Sequence, residues 1–580
     1  MGFLRALRGS VFGLREAADN SLPKAYGGLY HRGIMNLNCF VVGFSAALAL
    51  FAGTPGSLAQ APAQSPTTRV VIMVWDGMRP DFARPELAPN LCALADRGVR
   101  FQHNHSAYIT STEVNGAALA TGAFPGINGI VANREYLPKV FPRRPVNTQD
   151  LMVIDLNDKL TGGNHVRVKT LPELVRSGGR KTAVATSKKV GFLWDRTLDE
   201  AARDGCITLA EGGTIPEGAI DGLVKALGGS MKTLDDHKPG RLSDDLWTTR
   251  ALTEVLWKDE VPTLSVLWMA EPDFSQHQFG PGTPEALAAI RNSDECLGIV
   301  VSTLQKKGLL ETTNILVVSD HAFSTVSQGF SPVKVAQSAG FDAVDQLPEG
   351  KTLAKGQIMI SANGGSVCYY VGEKDPETIA KFTKYLQGTD YAGVIFTSTG
   401  EPGTFRLGEA FLDAPDAPEI LVSMNWSEEK SDNGTPGMVI SEGRPRGEGM
   451  HATLSPFDTH NTLIAAGPHF RVGVESELPS ANIDVAPTVC AILGVKPDPR
   501  QTGRVLAEAL KGMALPGLTP STSTIVSEAG PWKQYLTRTT LGKHTYVDQG
   551  GRGTTPKNVG PAPVTSNKPV QDPATGPASK

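Results

Sequence analysis

Thr68–Gly77, TRVVIMVWDG, is an unbroken apolar run rich in β-branched residues and closed by Asp-Gly. A strand with one wet face alternates apolar and polar residues. This one does not alternate, so it is expected to be covered on both faces, as strands of parallel sheets are. Similar runs recur at Lys181–Ser187 (KTAVATS), Pro262–Glu271 (PTLSVLWMAE), Asn314–Asp320 (NILVVSD) and Asn461–Pro468 (NTLIAAGP). Between them, helical spacing predicts helices over Pro89–Phe101 (with Gly98 as C-cap), Thr170–Gly178, Leu246–Leu256 and Thr283–Leu304. Strands alternating with helices predict an α/β fold whose mixed, mostly parallel sheet carries helices on both faces. From Phe323 to Gly449 the pattern weakens into Gly-rich loops and short strands such as Ser366–Val371, which reads as an inserted, lid-like subregion (323–449).

The chain has 580 residues, 40% apolar and 20% charged, with net charge −4. That balance suits a globular protein and offers no basic block or basic–aromatic interleaving for a nucleic-acid-binding surface. An anionic small-molecule substrate would have to be met by local positive charge. Residues 1–61 read as signal peptide and N-terminal extension. Cys39–Gly53 is apolar but short for a membrane span, and small residues follow, with cleavage points after Ala59 or Ala61. The expectation is a periplasmic or secreted protein with no membrane span after cleavage. Five cysteines then remain, without CxxC spacing, so one or two unassigned disulfides are possible. The catalytic domain is expected over 68–545, and 551–580, Gly/Pro/Thr-rich, as a disordered tail.

Open α/β sheets place ligands at the carboxyl ends of their strands. Asp76, Asp273, Asp320 and His321 all stand at or just past predicted strand ends. Asp273 and His277 are four apart in DFSQH, so one helical turn aims both at a point, and Gly280-Pro281-Gly282 stops that turn at once. His451 lies in a Gly-rich loop, GEGMHATLSPFD, with no core to serve. Ala107–Asn133, AYITSTEVNGAALATGAFPGINGIVAN, supplies a hydroxyl, Thr112, ahead of a small-residue helix. Carboxylates and imidazoles suit zinc, although such ligands admit manganese or iron as well.

The set VWDGMRPDF, TSTEVNGAALATGAFPGINGIVAN, EPDFSQHQFGP, VSDHAFS, GMHATLSPFD and AAGPHF resembles the type I phosphodiesterase/nucleotide pyrophosphatase family of the alkaline phosphatase superfamily, from Val70 to about Leu493. The resemblance implies an alkaline-phosphatase-like fold and two Zn2+ ions. One would be held by Asp76, Thr112, Asp320 and His321, the other by Asp273, His277 and His451. It also implies Thr112 as nucleophile, a threonyl-phosphate intermediate, and Asn133, 21 residues further on, as a phosphate contact.

The chain departs from the family pattern where the run after the nucleophile reads Glu113-Val114-Asn115-Gly116. Glu113 either contacts a sugar or amine of the substrate or turns away as a helix N-terminal carboxylate. Ala452 replaces the usual Gly after the last ligand histidine, and Asn128 replaces a frequent His. Phosphomonoesterases and phosphonate hydrolases of the superfamily carry two cations near Ser187-Lys188-Lys189-Val190; here the second is missing at its place. Lys188 either touches the substrate phosphate or is a solvated surface lysine. His460 is expected in a supporting or structural role. The activity expected is hydrolysis of phosphate diesters. A phosphomonoester or phosphonate substrate, or a catalytically inactive binding protein, is the alternative.

Overall fold

The Arg69–Trp75 strand lies fifth in a nine-stranded sheet. Its neighbours, Leu264–Met269 and Thr313–Val318, run parallel to it, and Thr182–Thr186 runs parallel to Leu264–Met269. Five of the eight pairings in this sheet are parallel, so the sheet is mixed and mostly parallel. The computed structural model describes residues 68–231, 241–514, 517–557 and 560; the expected signal peptide and extension lie outside them.

The absence of alternation in TRVVIMVWDG has a direct cause. Val70, Ile72 and Val74 face one core with Ala117, Leu119 and Val485, while Val71, Met73 and Trp75 face another with Leu91, Ile290 and Leu297. Helices Thr112–Thr121 and Val485–Leu493 supply the first layer, Pro89–Asp96 and Pro284–Lys306 the second. Each aliphatic side chain so buried contributes on the order of 1.5–3 kcal/mol. Among the described residues no helix is long and apolar enough to cross a membrane.

Several expectations are corrected. The Pro89 helix ends at Asp96, and Gly98–Phe101 is a strand. A Cβ at Gly98 would come within 2.1 Å of the Ala465 carbonyl, so this glycine serves close strand pairing and not a helix cap. Residues 323–449 hold the expected strand Ser366–Val371 and more regular structure than the Gly-rich loops and short strands expected, chiefly a six-stranded sheet built on Ile358–Asn363, Ser366–Val371, Ile420–Met424 and Ala392–Thr397. Its Met359, Tyr370, Phe396 and Leu421 pack on Tyr108, Ile109 and Val114 beside Thr112. Ile358, Tyr369, Ile395 and Val422 face the opposite way, onto Ile379 and Phe382. This sheet supports the Thr112 loop. All five described cysteines are buried and free, so no disulfide forms among the described residues. A three-stranded antiparallel sheet, Ser521–Ala529, Trp532–Leu541 and His544–Arg552, carries regular structure past 545 and into the start of the expected tail; most of 551–580 lies outside the described residues.

Candidate metal centre and active site

The parallel strands Thr313–Val318, Arg69–Trp75, Leu264–Met269 and Thr182–Thr186 are consecutive in the sheet, so their carboxyl ends share one edge. Asp76 follows the second directly, Asp320 and Lys188 stand two residues past the first and fourth, and Asp273 opens the short Asp273–Phe279 helix beyond the third. Thr112 begins the Thr112–Thr121 helix, capped by Gly122 in the left-handed region. Gly116 lets that helix lie against the Lys188 turn, since a Cβ there would meet Val190 at 2.4 Å.

The structure brings together Asp76, Asp320 and His321, and beside them Asp273, His277 and His451. The His321 and His451 rings stack at 3.7 Å between centroids, which joins the two groups. Each carboxylate has one oxygen satisfied by the chain. Asp76 Oδ2 accepts from Trp268 Nε1 and Lys188 Nζ, both at 2.8 Å. Asp320 Oδ1 accepts from the Gly77 amide at 3.0 Å, and Asp273 Oδ2 from Lys188 Nζ at 3.0 Å. The other oxygens, Asp76 Oδ1, Asp320 Oδ2 and Asp273 Oδ1, are buried and lack a hydrogen-bond partner.

Those three orphaned oxygens face imidazole lone pairs. His321, His277 and His451 each turn Nδ1 to a backbone carbonyl, of Ala322 at 3.1 Å, Gly449 at 3.0 Å and Thr110 at 2.8 Å. A carbonyl only accepts, so each Nδ1 carries the proton and a neutral ring keeps only its lone pair at Nε2. Burial lowers the pKa of His321 and His451, which holds both neutral, the form that binds metals. Yet His321 Nε2 lies 3.2 Å from Asp320 Oδ2 and 3.5 Å from Asp76 Oδ1, and His277 and His451 Nε2 lie 3.3 and 3.6 Å from Asp273 Oδ1. Lone pair against anion is repulsive unless a cation lies between them. Ligands of a tetrahedral zinc with bonds of about 2.0–2.1 Å sit about 3.3 Å apart, so the donor set and its spacing fit that ion.

Thr112 Oγ1 is 3.4 Å from His321 Nε2 and accepts from Lys188 Nζ at 3.3 Å. Lys188 is not a solvated surface lysine: only 12% of its side chain is exposed. Burial would depress its pKa, but Asp273 and Asp76 outweigh that and hold it charged, well above its usual range. One ammonium still faces three carboxylates, a deficit of positive charge in a buried site. Lys189 points elsewhere, to Asp150 at 2.9 Å, and Val190 is buried, so among the described residues no second lysine reaches Thr112. Glu113 is buried with Oε2 unpartnered, and burial pushes its carboxyl up to about 7. The Glu113 amide donates to Asn133 Oδ1 at 3.0 Å, which leaves the Asn133 Nδ2 hydrogens free to point at a ligand.

Two neighbours escaped the sequence reading. Trp268 donates to Asp76 from within a strand, a contact that only the sheet register creates. Phe274, exposed, lies under Lys188 with its ring centroid 5.9 Å from Nζ; its place between Asp273 and His277 was the available signal.

The family model for Type I phosphodiesterase / nucleotide pyrophosphatase matches residues 70–429. Human ectonucleotide pyrophosphatase/phosphodiesterase family member 7 is 21% identical over 464 residues, covering 77% of this chain and 84% of its own length. Human bis(5'-adenosyl)-triphosphatase ENPP4 is 22% identical over 467 residues, with 78% and 84% covered. Among solved structures, human ectonucleotide pyrophosphatase/phosphodiesterase 5 superposes with TM-score 0.55 at 17% identity, covering 77% of this chain and all of its own. The murine form, an inactive threonine-to-alanine variant in complex with AMP, does so with TM-score 0.53 at 16% identity and the same coverage. The fold is thus alkaline-phosphatase-like, as the strand-end motifs implied. The chain belongs to the type I phosphodiesterase/nucleotide pyrophosphatase family and is a metal-dependent phosphoric ester hydrolase.

Proposed function

We propose that this protein is an exported two-zinc phosphodiesterase of nucleotide-like diesters that works through a threonyl-phosphate intermediate. One observation carries the reading: three orphaned carboxylate oxygens and three imidazole lone pairs converge within reach of the Thr112 hydroxyl. In this reading Asp76, Thr112, Asp320 and His321 hold one cation and Asp273, His277 and His451 the other. Such cations supply the positive charge that lets a hydroxyl ionise near neutral pH and that offsets charge on the transferring group.

Thr112 Oγ1 attacks phosphorus and the ester oxygen on the far side leaves, so one P–O bond forms as another breaks. Lys188, bonded to Oγ1, favours its anionic form. Asn133 Nδ2 and the Thr112 amide at the helix N-terminus donate to the phosphoryl oxygens. Water then attacks phosphorus, releasing phosphate monoester and regenerating the hydroxyl. Glu113 hydrogen-bonds a hydroxyl or amine of the substrate. Lys188, the one lysine at Thr112 among the described residues, favours a diester, which carries one negative charge on its phosphoryl oxygens, over a dianionic monoester. The AMP seen in the murine relative is a nucleotide monophosphate of the kind such hydrolysis releases.

Hydrolysis of bis(p-nitrophenyl) phosphate against p-nitrophenyl phosphate tests the substrate class. The diester is expected to be preferred, and a strong monoester preference would overturn the assignment. Export is tested by sequencing the mature N-terminus, expected at Gln60 or Pro62. An intact N-terminus would contradict it.

A further inference from the structure

The imidazole arrangement at the sheet edge recurs once more, away from Thr112. His105 Nδ1 donates to the Ser480 carbonyl at 2.9 Å, and its Nε2 lies 3.2 Å from Asp548 Oδ1. His460 Nε2 reaches the same oxygen at 2.8 Å. Among the described histidines, His277, His321, His451 and His105 alone combine an Nδ1 held by a backbone carbonyl with an Nε2 facing a carboxylate. His165 and His544 hold carbonyls without facing a carboxylate, and His103 faces Glu477 with no such carbonyl. With Nδ1 protonated, a neutral His105 turns its lone pair on an anionic oxygen, and a positive species between them removes the repulsion.

We propose that His105, His460 and Asp548 form a third divalent-cation site, of the zinc class, distinct from the pair at Thr112. Two imidazole nitrogens and one carboxylate oxygen are the donor types zinc prefers, and all three atoms lie within 4.8 Å of one another. The site is buried on the His105 side and partly open at His460 and Asp548, with 23% and 19% of their side chains exposed, which leaves room for a water ligand.

The location gives the cation a structural task. His105 pairs with His460 and Ala481 in a small sheet, while Asp548 sits on the C-terminal strand His544–Arg552. Two residues past His105, the Ala107 amide donates to Asn115 of the nucleophile helix at 2.7 Å. A cation here therefore ties the C-terminal sheet to the segment that leads into Thr112. Among the described residues no hydroxyl nucleophile or lysine joins His105, His460 and Asp548 in the way Thr112 and Lys188 join the first cluster, so the site is assigned a structural and not a catalytic role.

The full chain, stripped with chelator and dialysed against micromolar Zn2+, is analysed for zinc per chain and for melting temperature. Asp548→Asn and His460→Gln are each expected to carry one zinc equivalent fewer than the parent, and to lose several degrees of its zinc-dependent rise in melting temperature. Equal zinc content in parent and variants overturns the proposal. If both variants fail to fold, diffraction from parent crystals at the zinc absorption edge decides: an anomalous peak between His105 Nε2, His460 Nε2 and Asp548 supports the site, and a map without one there overturns it. The comparison is between chains with identical residues around Thr112, so its result is independent of the catalytic reading.

Discussion

Two clusters in this molecule share one device, an imidazole whose Nδ1 is locked on a carbonyl while Nε2 faces a carboxylate. At the sheet edge the device occurs three times, with Thr112, Lys188, Glu113 and Asn133 gathered around it. At the C-terminal sheet it occurs once, at His105, with Asp548 and His460 beside it. The difference teaches that cation-binding geometry is not yet chemistry. What separates the clusters is a hydroxyl within 3.4 Å of the His321 imidazole nitrogen and a lysine that charges its surroundings.

The strongest way to break the comparison is Thr112→Ala. It is expected to lower kcat by about 10^4-fold or more while zinc content at the C-terminal cluster stays the same. Activity within tenfold of the parent, measured by steady-state kinetics, would remove the distinction. Lys188→Met is next. It takes the ammonium from Thr112 Oγ1, Asp76 and Asp273, and kcat/KM for a diester is expected to fall by about 10^2-fold with the zinc count unchanged. Glu113→Gln sharpens the role of the flanking groups. Its carboxyl, pushed up to about 7 by burial, ionises as pH rises past neutrality and then repels an anionic diester. The parent KM is expected to climb by up to about tenfold between pH 6 and 8, and the variant profile to stay flat.

A histidine outside both clusters gives the control. His165 is lowered from 6.5 to about 4 by burial, and no carboxylate faces it in the manner of the four. The folded chain keeps it neutral while the unfolded chain takes up a proton below pH 6.5, so stability is lost as pH falls from 6.5 toward 4. Denaturant melts of His165→Gln should lack that loss, about 3 kcal/mol at the low end. The smallest effect is expected at Ala452, whose φ of +80° is left-handed backbone next to His451. Ala452→Gly should relieve strain and, after the entropy gained by the unfolded chain, stabilise by about 0.5–1 kcal/mol. A loss on melting would show that the methyl group packs usefully.

The sheet-edge cluster was legible because its residues follow strands too apolar to be anything but buried, and strand ends in such sheets converge. Asp76, Asp273, Asp320, His321, His277 and His451 were all named on that ground or by family resemblance, and the structure brings them together. Lys188 was half legible. Its sequence neighbours Lys189 and Ser187 suggest a surface turn, and only the approach of Asp76 and Asp273 from other strands draws it inward. Gly98–Phe101 was misread because a glycine just past a helical run reads as its C-cap, and pairing with Leu463–Ala466 makes the segment a strand instead. Within 323–449 the strand Ser366–Val371 was legible, while its partners Ile358–Asn363, Ala392–Thr397 and Ile420–Met424 were not, because a serine, glycine or asparagine interrupts or ends each apolar run. The cluster at Asp548 was the least visible. Its three residues lie on three separate strands, two of them only two residues long, and the exposed, Ser/Thr-rich strand Ser521–Ala529 gave no apolar signal for the sheet that carries Asp548.

The central claim is that buried carboxylates and imidazoles hold cations that make Thr112 an attacking group. Acid-quenched mass spectrometry during diester turnover tests it directly. A phosphoryl adduct is expected on the peptide containing Thr112 in zinc-loaded protein and none after chelation. An adduct on another residue, or turnover undiminished by chelation, would contradict it.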